Sequence, residues 1–155
     1  MDLRPIGVVI GPSEDEVNKN MWKGGVKGII KVYEEFKEGL LGIENFSHII
    51  VVSWLHKITE DQRKILIVKP LRMTDLGFKL SELPTLGVFA LHSPVRPNPI
   101  GITIVKLIKR QDNLLFVEGL DLYDGTPILD LKGYYPYLPK DVRVPEWSKR
   151  LPSEV

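Results

Sequence analysis

At 155 residues, with 43% hydrophobic and 26% charged residues, the chain has the size and balance of one globular domain. Its 13 glycines and 12 prolines favour a turn-rich fold of short strands over a helix bundle. The absence of cysteine excludes a disulfide scaffold, a cysteine-ligated zinc site and a thiol nucleophile. A formal net charge of +1 argues against binding DNA by bulk charge and leaves room for a local basic patch.

In chain order, the opening MDLRPIGVVIGPSED lacks the charged-then-apolar layout of a signal peptide, and no apolar run reaches the roughly 20 residues of a membrane span. The chain therefore reads as cytoplasmic. Short apolar runs predict strands over 6–10, 26–33, 47–56, 64–68, 87–91, 101–108, 114–120 and 128–131. Gly24-Gly25-Val26-Lys27-Gly28 reads as a hairpin turn, and Glu34 to Leu41 as a short helix ending at Gly42. Lys109 to Asn113 reads as the loop of a hairpin. The tail from Tyr134, with Pro136, Pro139, Pro145 and Pro152, reads as extended and irregular. Many short strands without long helices predict a mainly β fold, a barrel or a sandwich.

Two stretches stand out for chemistry. In His92-Ser93-Pro94-Val95-Arg96-Pro97-Asn98-Pro99-Ile100-Gly101, three prolines stiffen the loop and push Ser93, Arg96 and Asn98 into extended conformations. Such a loop presents a guanidinium fork, suited to a phosphate or carboxylate, and a side-chain amide suited to a base edge. The alternative is a rigid connection with Arg96 in a salt bridge. In Asp121-Leu122-Tyr123-Asp124-Gly125-Thr126-Pro127, Asp-Gly between apolar runs reads as a hairpin turn, or as a turn using its amides and Asp124 to hold a polar ligand.

His48 and His56 fall on one predicted strand, roughly 26 Å apart at 3.3 Å per residue, too far to share a metal. With no HExxH present, no metal site is expected, and without G-x-S-x-G a hydrolase triad has little support. Lys19, Lys23, Lys27 and Lys31, and separately Lys132, Lys140, Arg143, Lys149 and Arg150, are candidate basic faces. The second set is interleaved with Tyr134, Tyr135, Tyr137 and Trp147, a mixture suited to stacking on RNA or to solvated charge around packed aromatics.

Taken together, Gly42-Ile43-Glu44-Asn45-Phe46-Ser47-His48, Gly87-Val88-Phe89-Ala90, Arg96-Pro97-Asn98-Pro99-Ile100-Gly101 and Asp121 to Asp130 resemble the TsaA-like, or TrmO-like, proteins over most of residues 4–138. That resemblance implies a single-domain, antiparallel β-barrel with short helical segments over 1–138, followed by an irregular tail over 139–155 packed on the domain or on a dimer partner. It implies a cytoplasmic homodimer that uses S-adenosyl-L-methionine, with no role for membrane or DNA. Its reaction would be methylation of N6 of threonylcarbamoyl-adenosine 37 in the anticodon loop of tRNA. The alternatives are an S-adenosylmethionine-binding module and a methyltransferase with a non-tRNA substrate. Carried over by motif, the cofactor contacts fall on His56, Lys57, Leu91, His92, Ser93, Ile102, Leu122, Tyr123, Asp124, Gly125, Thr126 and Pro127. Asn98 is the candidate acceptor for the N6 hydrogen, and Arg96 the candidate contact to a phosphate or the cofactor carboxylate. Bacterial members carry Thr-Arg-Ser where this chain has Leu91-His92-Ser93, which replaces a fixed charge by an imidazole.

Overall fold

The structure, a computed structural model, describes residues 1–152. Among the described residues, eight strands form in chain order: β1 (Gly7–Ile10), β2 (Val26–Val32), β3 (His48–Trp54), β4 (Ile67–Val68), β5 (Leu86–Gly87), β6 (Ile100–Gln111), β7 (Leu114–Leu120) and β8 (Pro127–Gly133). Six of them close a barrel in the order β1–β2–β7–β6–β3–β8, which leaves no open sheet edge. Pairing is antiparallel between β1 and β2, β1 and β8, β2 and β7, β3 and β8, and β6 and β7.

Period-two alternation fills the barrel. Val9, Ile30, Val32, Ile49, Val51, Val105, Leu115, Val117 and Ile128 are buried, while alternate neighbours such as Lys31, Ile50, Lys106 and Phe116 are not. Register shifts interrupt three pairings, at Val26/Lys27, Val52/Ser53 and Leu107/Lys109. Such bulges sharpen twist and bend, which a small closed barrel requires. The first opposes Gly119, which sits at φ 95° between the paired Glu118 and Leu120.

The chain divides into two compact units, 1–54 with 102 onward, and an insert over 55–101. The first unit holds the barrel. The insert is a two-stranded ribbon, β4 paired antiparallel with β5, plus short helical turns. The single-domain reading of the sequence did not separate this insert.

Several sequence expectations are corrected. Residues 14–20 form a helix, α1 (Glu14–Asn20), started by Ser13, whose side chain accepts from the Glu16 amide at 3.1 Å. Three acidic residues in its first turn complement the helix dipole. Gly24 and Gly25 therefore join a helix to β2 and are no hairpin. The run 87–91 is strand only at Gly87; Val88–Ala90 form a 3-10 turn that buries Val88 and turns Phe89 outward. The expected helix over 34–41 is a 3-10 helix at Glu34–Leu40. The loop at 109–113 shrinks to Asp112 and Asn113, because β6 continues to Gln111 opposite Leu114. β3 ends at Trp54, so His56 lies in a turn beyond it and does not share a strand with His48. The tail includes a 3-10 turn at Glu146–Arg150, and the part of it over 153–155 lies outside the described residues. Among the described residues, no helix is long and apolar enough to cross a membrane, and no group of three His, Cys, Asp or Glu could hold a metal ion.

Candidate functional site

The residues singled out by sequence fall in both units, and each half has its own architecture. In the barrel unit, the segment over 121–127 links β7 to β8. These strands are not neighbours in the barrel, so the segment is a crossover and the hairpin reading is corrected. It docks on the end of β1. The Gly11 amide donates to Asp124 Oδ1 at 2.8 Å, the Asp124 amide to Pro12 O at 2.7 Å, and the Gly125 amide to Val9 O at 2.8 Å. The Val9 amide donates to Thr126 O at 3.0 Å, and the Thr126 hydroxyl and amide both donate to Tyr123 O. Tyr123 Oη donates to Asn18 Oδ1 at 3.0 Å, tying the segment to α1.

These bonds decide what the crossover can do. Its amides at Asp124, Gly125 and Thr126 are spent on carbonyls of the chain, so they are not a set of open donors for an anion. Asp124 Oδ1 takes part in shaping the segment by accepting from the Gly11 amide. Leu122 and Thr126 are buried, while Asp124 and Gly125 are exposed. At the start of the segment, the Thr103 hydroxyl on β6 donates to Asp121 Oδ1 at 2.6 Å. Close packing around that carboxyl pushes its pKa above the ordinary value, against the opposing pull of Thr103 and of its own backbone amide. Asp121 as a whole residue is nonetheless exposed, so the crowding is confined to its carboxyl end. Ile102, at the start of the barrel portion of β6, is 72% exposed.

In the insert, the loop over 91–100 is bound by two arginines. Arg96 Nη1 donates to Leu91 O at 3.0 Å and to Ser93 O at 3.2 Å. That edge of the guanidinium faces the chain itself, so Nη1 staples the loop. Ser93 Oγ accepts from the Val95 amide at 3.2 Å. Arg63, on the short helix α2 (Glu60–Arg63), donates from Nε to Pro97 O at 2.7 Å. A capping box fixes α2: the Gln62 amide donates to Thr59 Oγ1 at 3.3 Å, and the Thr59 amide to Gln62 Oε1 at 2.9 Å. Further along, the Leu55 amide donates to Pro99 O and the Ile100 amide to Asn98 O, both at 2.7 Å.

The insert therefore brings Leu91, Ser93 and Arg96 together and holds the backbone on both sides of Asn98. Asn98 and His92 are exposed, as are His56 and Lys57 in the turn after β3. Sequence reasoning passed over Arg63 and Phe89. Arg63 lies 34 positions from its acceptor, and no local pattern links the two. Phe89 is 77% exposed and adjoins the stapled loop. A strand over 87–91 would have given no reason to turn it out.

With this geometry in place, the comparisons with known proteins are informative. Residues 18–140 match the family described as the tRNA-methyltransferase O N-terminal domain. The chain belongs to that family. A protein of Archaeoglobus fulgidus named "S-adenosyl-L-methionine-binding protein" is 37% identical over 139 residues, which cover 88% of this chain and 91% of that protein. The fold also matches a crystal structure titled TrmO from Pseudomonas aeruginosa, with a TM-score of 0.66 and 28% identity, over 92% of this chain and 60% of that one. A second crystal structure of TrmO matches with a TM-score of 0.66, over 93% and 62%. The chain thus spans about three fifths of the crystallised chains. The barrel expected from the resemblance is present, and it is the same fold.

Proposed function

We propose that this protein binds S-adenosylmethionine and transfers its methyl group to N6 of threonylcarbamoyl-adenosine 37 in the anticodon loop of tRNA, in the cytoplasm and as a homodimer. Membership of the tRNA-methyltransferase O N-terminal domain family across residues 18–140 carries this reading. The residues fit such a cofactor. An adenine-bearing ligand needs an apolar face beside a few convergent polar groups, and exposed Phe89 adjoining the Leu91–Ser93 loop supplies both in the insert. Within each unit the proposed cofactor contacts are those named by motif: His56, Lys57, Leu91, His92 and Ser93 in one, Ile102 and Leu122–Pro127 in the other.

When bound, S-adenosylmethionine supplies a methyl group on a positively charged sulfur. The N6 lone pair forms the new N–C bond as the C–S bond breaks, and that bond's electrons neutralise the sulfur; the N6 proton is then lost. The chain's part is alignment, worth several kcal/mol when reacting atoms are pre-positioned. Asn98 is proposed to accept a hydrogen bond from N6–H through its side-chain oxygen, which raises the electron density on nitrogen. Its side chain has no partner among the described residues, while the Arg63 bond to Pro97 O and the Leu55 bond to Pro99 O restrain the backbone beside it. Arg96 holds Leu91 and Ser93 in place through Nη1, and its remaining N–H groups are proposed to meet a phosphate or the cofactor carboxylate.

Nucleoside mass spectrometry of tRNA incubated with the protein and methyl-labelled S-adenosylmethionine tests the reading. Label in N6-methylated threonylcarbamoyl-adenosine is expected. For Asn98→Ala, turnover should fall at least about 100-fold, the usual scale for a group acting on the transferred proton, with cofactor affinity by calorimetry unchanged. Tight cofactor binding with no labelled nucleoside would refute transfer to tRNA and favour a binding module or a different methyl acceptor.

A further inference from the structure

The C-terminal end of β8 leads into Gly133-Tyr134-Tyr135-Pro136-Tyr137, and the barrel unit uses this stretch to build an exposed aromatic surface. Gly133 has no side chain, and a Cβ there would lie 2.5 Å from Phe46 Cε1, so the Phe46 ring packs directly on the strand backbone. Phe46 then meets Tyr135 edge to face, with ring centroids 5.4 Å apart and an interplanar angle of 79°. Tyr135 in turn stacks on Tyr137 at 5.9 Å and 27°. Proline between the two tyrosines fixes φ, and the Tyr137 amide donates to Tyr135 O at 2.8 Å, which locks both rings on one side of the chain. Solvent still reaches them, since Tyr135 is 56% and Tyr137 84% exposed.

An aromatic pair held in place yet left open costs little entropy when it captures a flat partner. The charge that follows it in the chain selects the partner. Lys140 and Arg143 follow within six residues of Tyr137, and neither has an ion-pair partner among the described residues. By contrast Lys132 is paired with Asp130 at 3.0 Å and Lys149 with Glu146 at 2.6 Å. Exposed rings and, a few residues on, cations without an ion pair are the two ingredients of single-stranded nucleic acid binding, where bases stack and phosphates meet positive charge.

We propose that Tyr135 and Tyr137, with Lys140 and Arg143, form a stacking platform for unpaired bases of RNA. This rests on the tRNA reading above and assigns the RNA contact to residues other than those named there. Fluorescence anisotropy with the full chain and two probes, labelled total tRNA and a short labelled oligoadenylate, tests it. Tyr137→Ala should weaken both complexes roughly 5- to 100-fold, the range for loss of one stacked base. Tyr137→Phe should bind like the unsubstituted protein. Lys140→Ala with Arg143→Ala should flatten the salt dependence of binding by about two phosphate contacts. Calorimetry with S-adenosylmethionine serves as the fold control, because Tyr137 is too exposed to support the core and its removal should leave that affinity unchanged. Unchanged RNA binding by Tyr137→Ala, with the unsubstituted protein active on tRNA, overturns the platform and leaves the tRNA reading standing. Absence of RNA binding by the unsubstituted protein overturns both. Conversion of a dimer to a monomer by Tyr137→Ala, with RNA affinity kept, assigns the surface to a second copy of the chain and overturns the platform as well.

Discussion

Gly24 and Gly25 are adjacent, both hold positive φ, at 86° and 75°, and both are naturally accommodated by glycine alone. Their surroundings differ. A Cβ at Gly24 would meet nothing within 4 Å, whereas one at Gly25 would lie 2.6 Å from Gly119 C, 2.6 Å from Leu120 O and 2.9 Å from Gly119 O. All three are backbone atoms of β7 at its bulge, with no flexible side chain to give way. Gly24→Ala therefore incurs only the left-handed conformation, about 1 to 2 kcal/mol, reduced by the lower entropy of the unfolded chain, for a net near 1 kcal/mol. Gly25→Ala adds overpacking of about 1 to 3 kcal/mol and reaches roughly 3 kcal/mol. For a chain of this size, each kcal/mol moves the melting temperature by about 2 to 4 °C. Thermal melts followed by circular dichroism should show Gly24→Ala lower by about 2 to 4 °C and Gly25→Ala by about 6 to 12 °C. Two variants melting within about 2 °C of each other would refute the argument that contact with Gly119 and Leu120, and not φ alone, demands glycine at 25.

Asp121 gives a pH dependence of opposite sign to the usual carboxylate. Its folded pKa is raised by burial, so the folded state holds the proton more tightly than the unfolded chain, whose value is near 3.8. Stability is then lost as pH rises from that value through the raised folded one, and the loss remains at neutral pH. Asp121→Asn keeps an oxygen for the Thr103 hydroxyl and carries no charge; its melting temperature should exceed that of the unsubstituted protein at pH 7, with the gap closing below the unfolded value. Equal curves across the acid range would count against it. At the crossover, Asp124→Ala removes the acceptor of the Gly11 amide and should cost about 1 kcal/mol, the scale of one partly solvated hydrogen bond. Asp124→Asn, which retains the oxygen, should melt like the unsubstituted protein, and equal loss in both variants would show that the charge and not the bond matters.

The barrel strands were legible from the sequence because period-two burial writes itself into composition. Val9 alternates with Val8, Ile49 and Val51 with Ile50, and Leu115 and Val117 with Phe116, so the β-branched and aliphatic runs marked each of the six. Small helices were not legible from periodicity, since α1 buries one side chain, Val17, and α2 none. Their caps were in plain view, as Ser13 with Glu16 and Thr59 with Gln62, yet a cap signals a start without promising length. The motifs Arg96-Pro97-Asn98-Pro99-Ile100-Gly101 and Asp124-Gly125-Thr126-Pro127 marked the stretches from which the candidate site is drawn, because prolines and glycines restrict the chain locally.

What those residues touch was decided by tertiary structure alone. Residue type allowed Arg96 to face a phosphate, a carboxylate or its own loop, and only the fold brings Leu91 O and Ser93 O to its Nη1. Asp-Gly allowed a hairpin, and only the strand order, which separates β7 from β8, makes it a crossover docked on β1. Arg63 meets Pro97 across 34 positions, a distance over which local propensity carries no information. Sequence by itself determined the alternation that closes the barrel and the stiffness of its loops. Partners of the polar groups depend on strand neighbours distant in the chain, so the closed barrel and the folded insert had to supply them.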